Sequence, residues 1–426
     1  MKDVIGKKYF ELDARERDAL PDLVPKRRKL APRSAKLIKK THSVCPTCKA
    51  VISADVCEEE GAAVMYKRCA QHGESRGVID PDVGFYRRVM NTAPVARKPY
   101  FAMVIPVTHR CNLDCALCFV PKRDRDDLSL EQLKAVIKAT PGVNIGVSGG
   151  EPTLRDDLPD LIRWLKANDR HCQLISNGIK LADRSYVRQL VDAGLNECLF
   201  SFNGFSDKFF RVINGKPLLD IKLKALRNCV EEGIYVALSP TIFRDLNEED
   251  LGPLLQLCLE NNPGIFELRV RGACRVGRHG VMRPLATSEL LDPMASALGV
   301  QPSKLVRELD RKCSYHAAIQ FNMHGTFKEH PSEYELKRWD AGLFHRAKDL
   351  RQLGEEFVAW ERQRSGAILS SEAILEQHKR LAINLWSWPD ADNIDFQEIH
   401  GHGVYHLYDN SRPMNFCEAV LAAEQL

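Results

Sequence analysis

The chain has no stretch of about 18 consecutive apolar residues, and its first residues, MKDVIGKKYFELDARER, have no apolar core. The first lack speaks against a helix that crosses a membrane and the second against a secretory leader, so a cytoplasmic location is expected. A dominant charge sign is missing too. Lys and Arg number 61 against 57 Asp and Glu, a formal net charge of +4 over 426 residues, so overall electrostatics demand no nucleic-acid partner. No internal repeat of solenoid length is present. With 44% hydrophobic and 28% charged residues the chain lacks the composition of disorder, and its length suits one main domain with smaller appendages.

What it has in quantity is cysteine, fourteen residues. Without a secretory leader these read as metal ligands and small buried residues rather than disulfides. Cys172, Cys198, Cys229 and Cys258 stand singly in apolar or helical contexts such as HCQLIS and LLQLCLEN, and are expected in the core. Cys45 and Cys48 in CPTC, with Cys69 and His72 in CAQHG, form two knuckles about twenty residues apart. That spacing suits a tetrahedral zinc or a mononuclear iron, with Cys57 as the alternative to His72 for the fourth ligand. A module of about 40 residues also needs such a staple to hold a core.

Three regions follow from the patterning. Residues 1–98 comprise a basic arm, PKRRKLAPRSAKLIKK, and the Cys/His knuckles. The arm's cations suit phosphates of a nucleic acid or of anionic lipid headgroups, or merely solvent, and no aromatics interleave them for base stacking. Across residues 99–281 short apolar runs (YFAMVIPVT, VNIGVS, CQLISN, ECLFSF, IYVALSPTI, IFELRVR) alternate with helical stretches. Six strands and five helices in alternation predict right-handed βαβ units, a parallel sheet under helices, and ligands beyond the strands' carboxyl ends. Residues 282–426 break the alternation and read as an α+β module, with a helix over SSEAILEQHKRLAINLW and hairpins over AAIQFNMHGTFKEH and GVYHLYDNSRPMNFC.

Two motifs fall at the first two strand ends. In THRCNLDCALCF, Cys111, Cys115 and Cys118 offer three thiolates on one loop; a four-iron cubane held by three leaves one iron open to a ligand. In Ser148-Gly149-Gly150-Glu151-Pro152-Thr153, two glycines let the backbone approach that ligand, and the Glu151 carboxylate can accept from an ammonium. Farther along, Arg269 and Arg271 on the sixth strand, then Arg275 and Arg278, offer guanidinium forks for a carboxylate or phosphate.

The C-x3-C-x2-C loop and the SGGEPT turn resemble the radical S-adenosylmethionine (SAM) superfamily over about residues 100–280. That resemblance implies an α/β partial (β/α)6 barrel. Cys111, Cys115 and Cys118 then hold a 4Fe-4S cluster whose open iron chelates the amino and carboxylate groups of SAM. Gly149, Gly150, Glu151, Ser176, Asn177, Ser201, Asn203, Ser239, Arg269 and Arg271 are its implied SAM contacts. The knuckle pair ahead of these motifs looks like the branch that includes the archaeal tetraether lipid synthase. Implied with it are a small-molecule or lipid substrate, carbon–carbon bond formation, a reductant such as flavodoxin or ferredoxin, and RNA or peptide modification as the alternative. Cys274, Cys313 and Cys417 are the supply for an auxiliary iron–sulfur cluster, and the hairpin ending NFC resembles those that carry one.

Overall fold

Two sheets carry the described residues. The structure, a computed structural model, describes residues 4–91 (save 13, 21, 22 and 26), 102–305 (save 117, 119, 121–125, 140–143, 263, 276–282 and 300), 309–311, 317–324, 380–397, 404–407 and 413–415.

The arm begins with a short helix, α1 (Ala14–Ala19), and leads into an antiparallel sheet of β1 (Lys36–Val44), β2 (Val51–Glu59), β3 (Ala62–Cys69) and β4 (Gly73–Asp80) in that order. Pairing of Val44 with Val51 and of Ala54 with Lys67 sets the β1–β2 and β3–β4 turns at one end of the sheet, which brings the two knuckles together. Helix α2 (Val83–Asn91) follows, and its Tyr86 packs with Val56, Met65 and Ile79. The arm is not a solvated tail. Val4, Tyr9, Leu12 and Leu20 are buried with Val44 and Val51, Arg27 pairs with the fully buried Asp55 at 3.0 Å, and Lys40 donates to the Arg27 carbonyl.

The larger sheet contains the expected alternation: β5 (Ala102–Thr108), α3 (Leu130–Ala139), β6 (Asn144–Gly149), α4 (Leu158–Ala167), β7 (His171–Ser176), α5 (Arg184–Asp192), β8 (Glu197–Phe200), α6 (Asp207–Asn214), α7 (Leu219–Glu231), β9 (Tyr235–Leu238), β10 (Thr241–Ile242), α8 (Leu251–Glu260) and β11 (Ile265–Gly272). Strands β5 to β9 and β11 pair parallel in chain order, with β10 beside β11. The core lies between this sheet and its helices and includes Ile105, Val147, Leu174, Phe200, Val236 and Leu268. Cys172, Cys198, Cys229 and Cys258 are all in it; burial alone pushes the Cys229 thiol up to about 12, which keeps it an inert small hydrophobe.

Beyond β11 come α9 (Leu291–Leu298), α10 (Pro302–Leu305), β12 (Leu309–Arg311), β13 (Ala317–His324), β14 (Arg380–Ser387), β15 (Val404–Leu407) and β16 (Pro413–Asn415). These strands extend the same sheet: β14 pairs parallel with β11 and antiparallel with β13, and β15 pairs parallel with β5. The helix predicted through RLAINLW is a strand there. Leu381, Ile383 and Leu385 are fully buried on one face, so a period of two wins where helical propensity was expected to. β15 and β16 form the second expected hairpin; β13, the first arm of the other, pairs with β12 and β14, and that hairpin's residues 325–330 lie outside the described residues.

Candidate functional site

The cluster loop leaves the carboxyl end of β5 and is stitched to the end of β6. Gly150 N donates to the Thr108 carbonyl at 2.8 Å, and Glu151 N to the Arg110 carbonyl at 2.7 Å. This close approach requires both glycines. A Cβ at Gly149, whose φ is +135°, would stand 2.2 Å from the Thr108 carbonyl oxygen, and one at Gly150 2.1 Å from that of Arg110. Asp127 completes the stitch, accepting from Thr108 Oγ1 at 2.7 Å, His109 N at 3.0 Å and Arg110 Nε at 3.0 Å. Desolvation opposes ionisation of Asp127, yet these donors outweigh it and hold the carboxyl below its usual range.

Of the three thiols, Cys111 is exposed, and Cys115 and Cys118 are half-buried. Asn214 Nδ2 donates to Cys115 Sγ at 3.0 Å, and Asn177 Nδ2 stands 3.9 Å from Cys111 Sγ. Although the residue's outer edge is open, its sulfur is desolvated. Together with Glu151, Cys115 and Cys118 nearby, this pushes the Cys111 thiol up to about 11 against the pull of a backbone hydrogen bond from Leu113. Cys115, Cys118 and Glu151 all lie within electrostatic reach of Cys111, and three thiols on one loop are a donor set that iron ions would complement.

Glu151 itself turns into the scaffold. It is 1% exposed, and its oxygens accept from Thr153 N at 3.2 Å, Thr153 Oγ1 at 2.6 Å, Ser176 Oγ at 2.8 Å and Asn177 N at 2.7 Å. The carboxylate thereby ties β6 to β7, and Ser176 Oγ is spent on it. Asn177 Nδ2 binds Asn112 of the cluster loop at 2.8 Å. Asn203 Oδ1 accepts from Thr241 N at 2.9 Å, linking the ends of β8 and β10. Ser201 lends its carbonyl to Lys222 at 2.7 Å.

Two other groups face inward with capacity left. Ser239 Oγ, at the end of β9, is buried with no hydrogen-bond partner among the described residues. Arg271 Nε on β11 is in the same condition, and desolvation, then the like charge of Arg269, lowers the guanidinium to about 10 despite Cys274 nearby. Arg271 is in register with Trp386 of β14, whose ring meets Trp388 edge-on at 6.0 Å. Arg269 differs: both edges of its fork are taken by Glu267 at 2.9 and 2.5 Å. The glycine cradle at the end of β6, the three thiols after β5 and the orphaned Ser239 and Arg271 groups at the ends of β9 and β11 fit a 4Fe-4S cluster bearing SAM.

Motif reading missed Lys222. On α7 and 1% exposed, it donates to the Asn177 carbonyl at 2.8 Å as well as to Ser201, and lies 5.7 Å from the Phe200 and Phe210 ring centres. A lone lysine in an amphipathic helix gives no sequence signal for this inward turn.

At the ribbon end, the ligand atoms of Cys45, Cys48, Cys69 and His72 all lie within 4.8 Å of one another. His72 Nδ1 is 3.6 Å from Cys45 Sγ and 3.5 Å from Cys69 Sγ. Burial opposes ionisation of Cys45, but the N–H groups of Cys48 and Thr47 and the thiols of Cys48 and Cys69 outweigh it, lowering Cys45 to about 7. Three sulfurs and a ring nitrogen at this spacing fit a tetrahedral zinc. Cys57, the alternative ligand, is not in this group; it is fully buried on β2 against Ala31 and Ala35. Cys274 is buried beyond β11, while Cys313, Cys417 and Arg278 lie outside the described residues.

Two family models match parts of the chain. The Radical SAM superfamily model matches residues 105–258, and the HMPTM N-terminal zinc ribbon domain model matches residues 37–80. A 7,8-dihydro-6-hydroxymethylpterin dimethyltransferase of Methanocaldococcus jannaschii is 34% identical over 258 residues, 52% of this chain and 51% of that protein. An Fe-coproporphyrin III synthase of Methanosarcina barkeri is 34% identical over 170 residues, 38% and 42% of the two chains. A probable GTP 3',8-cyclase of Saccharolobus islandicus is 28% identical over 179 residues, 41% and 57%. The chain thus spans about half the length of the curated relatives it matches. Residues 105–258 thus match the radical SAM superfamily model, behind a match to a zinc ribbon at residues 37–80.

Proposed function

We propose that this chain takes a hydrogen atom from a small-molecule or lipid substrate, and that the substrate radical goes on to form a carbon–carbon bond. A 4Fe-4S cluster on Cys111, Cys115 and Cys118, with SAM on its open iron, supplies the reductive cleavage that yields a 5'-deoxyadenosyl radical. The observation that carries the reading is the pair of backbone hydrogen bonds joining the Thr108–Arg110 segment to Gly150 and Glu151, which hold the thiols beside a glycine-lined cradle.

The chain's own residues divide the remaining work. Main-chain groups of Gly149 and Gly150 face the amino group of SAM, while Glu151 and Ser176 keep that strand end rigid. Asn177, Ser201, Asn203 and Ser239 line the ribose side, and the Ser239 hydroxyl has hydrogen-bonding capacity to spare. Arg271, in register with Trp386 on the neighbouring strand, takes the SAM carboxylate or an anionic group of the substrate. Cys45, Cys48, Cys69 and His72 hold zinc as a structural ion. Residues 282–426 complete the substrate side, and the oxygen-labile cluster suits a cytoplasmic setting.

The small-molecule class is supported by the relatives, which by name act on a pterin, a coproporphyrin and GTP. Against RNA stands the arm, whose Arg27, Lys39 and Lys40 are engaged within the protein. The test is anaerobic reconstitution, dithionite reduction and measurement of 5'-deoxyadenosine. Wild type should form it, and Cys115→Ala should form none while retaining zinc. Absence of both a cubane signal and 5'-deoxyadenosine from wild-type protein would end this reading.

A further inference from the structure

The alternation that revealed the sheet gave no sign of α6, and this helix divides sharply into two faces. Phe209, Phe210, Ile213 and Asn214 are buried, where the first three pack with Leu113 of the cluster loop and with Phe243. The end of the helix is bonded into that loop: the Ile213 carbonyl accepts from Ala116 N at 2.8 Å, and Asn214 reaches Cys115 Sγ at 3.0 Å. The opposite face, spaced i, i+3, i+4 and i+7, is Lys208, Arg211, Val212 and Gly215, all exposed, with exposed Lys216 on the turn beyond.

This outer face has an unusual balance of charge. Among the described residues neither Lys208, Arg211 nor Lys216 has a carboxylate partner. Lys216 Nζ donates to the Asn112 carbonyl of the cluster loop at 3.0 Å. The helix's own acid, Asp207, is turned inward, accepting from Leu218 N at 2.9 Å and Leu219 N at 3.0 Å. One exposed acid, Asp114, lies near the rim. At the centre of the cations Val212 is 56% exposed. Beside them opens a cavity of about 560 Å³ whose lining includes Cys111, Asn112, Asn214 and Lys216.

We propose that the outer face of α6, with Lys216, is the docking surface for an acidic one-electron carrier protein that reduces the cluster. The inference rests on the radical SAM reading above. A basic rim around an apolar centre is what an acidic partner needs for steered encounter and a desolvated contact. The position matters equally: a protein seated here is separated from a ligand sulfur only by the end of one helix, on the side where Cys111 is exposed. One electron leaves the carrier and enters the cluster, with no proton transferred and no bond of this chain made or broken.

The test compares two electron sources for one variant, Lys208→Glu/Arg211→Glu. These residues touch neither the thiols nor the cradle, so dithionite-driven formation of 5'-deoxyadenosine should stay within about twofold of wild type. With reduced flavodoxin as the donor the rate should fall at least about tenfold at limiting carrier, half-saturation should move to higher flavodoxin, and the wild-type rate should drop toward the variant's as salt rises. Unchanged flavodoxin-driven kinetics would overturn the docking surface. Equal slowing with both reductants would overturn it too, since the patch would then be serving catalysis or folding. If wild-type protein yields no 5'-deoxyadenosine with dithionite, the underlying radical SAM reading falls instead.

Discussion

A carboxylate buried beside three thiols would be expected to reach for a cation, but Glu151 accepts four hydrogen bonds from the two strand ends it joins. Glu151→Gln is therefore severe despite its small change in shape. One amide NH2 must point at Asn177 N or at the Ser176 and Thr153 donors, leaving buried donors facing each other, a loss of about 2–4 kcal/mol. Chemical denaturation should show that loss, and SAM affinity measured on reconstituted protein should fall with it. A variant as stable as wild type would mean the carboxylate faces the ligand after all. This is also where the sequence was least legible. The superfamily resemblance marks Glu151, in SGGEPT, and Ser176, at the third strand's end, as residues of the site, but nothing in their spacing says that both face the scaffold, because that depends on how β6 meets β7. Lys222 was invisible for a related reason: only the fold shows that two strand-end carbonyls converge on it.

Between strand ends the limiting factor is clearance. Gly150 sits so close to the cluster loop that a methyl group would overlap the Arg110 carbonyl oxygen. That oxygen is backbone, held by the Glu151 N–H bond, so neither side can yield without moving the loop. Gly150→Ala should consequently displace Cys111, and reconstituted iron content should drop by at least about half while the unfolding temperature falls by several degrees. Full iron loading would show that the loop has slack. Elements of this barrel were readable where one period runs long enough: six strands and their covering helices followed from apolar runs and helical spacing alone. SFNGFSDKFFRVING reads as loop, which hides α6, although Ser206 at its start and Gly215 in the left-handed conformation at its end are the boundary signals of a short helix. β14 reads as helix because its eight residues follow a helix-like stretch of sequence, and the alternation of Leu381, Ile383 and Leu385 is brief.

The whole molecule is held together by a segment far along the chain. Residues after β14 pack on the ribbon: Ala391, Ile394 and Phe396 join Tyr9, Val44 and Val51 in one cluster, and the Tyr9 and Phe396 rings stack at 4.9 Å. Buried Lys67 of β3 donates to the Val44 carbonyl at 3.1 Å and to that of Ala391 at 2.6 Å, and Lys39 pairs with Asp395 at 2.7 Å. Since Val44 precedes the first zinc ligand, chelating the ion should loosen this contact and lower the unfolding temperature of the whole protein by about 5 °C or more; a calorimetric scan unaffected by chelation would show the two parts to be uncoupled. A second tie supplies a pH test. Asp80, at the end of β4, is 4% exposed and accepts from Ser288 Oγ at 2.5 Å and Asp82 N at 2.8 Å. Burial pushes its carboxyl up to about 7 although those bonds pull it down. Below the unfolded-state value both states hold the proton and pH has no effect through this group. Between there and about 7 the unfolded chain has released the proton while the folded one keeps it, so stability falls as pH rises, and above 7 the loss is complete. About three pKa units correspond to a loss on the order of 4 kcal/mol. Asp80→Asn keeps an acceptor oxygen for both donors and removes the titration. Relative to wild type, the variant should therefore gain unfolding temperature between pH 5 and pH 8, and an identical difference at the two pH values would show that Asp80 ionises freely in the folded protein.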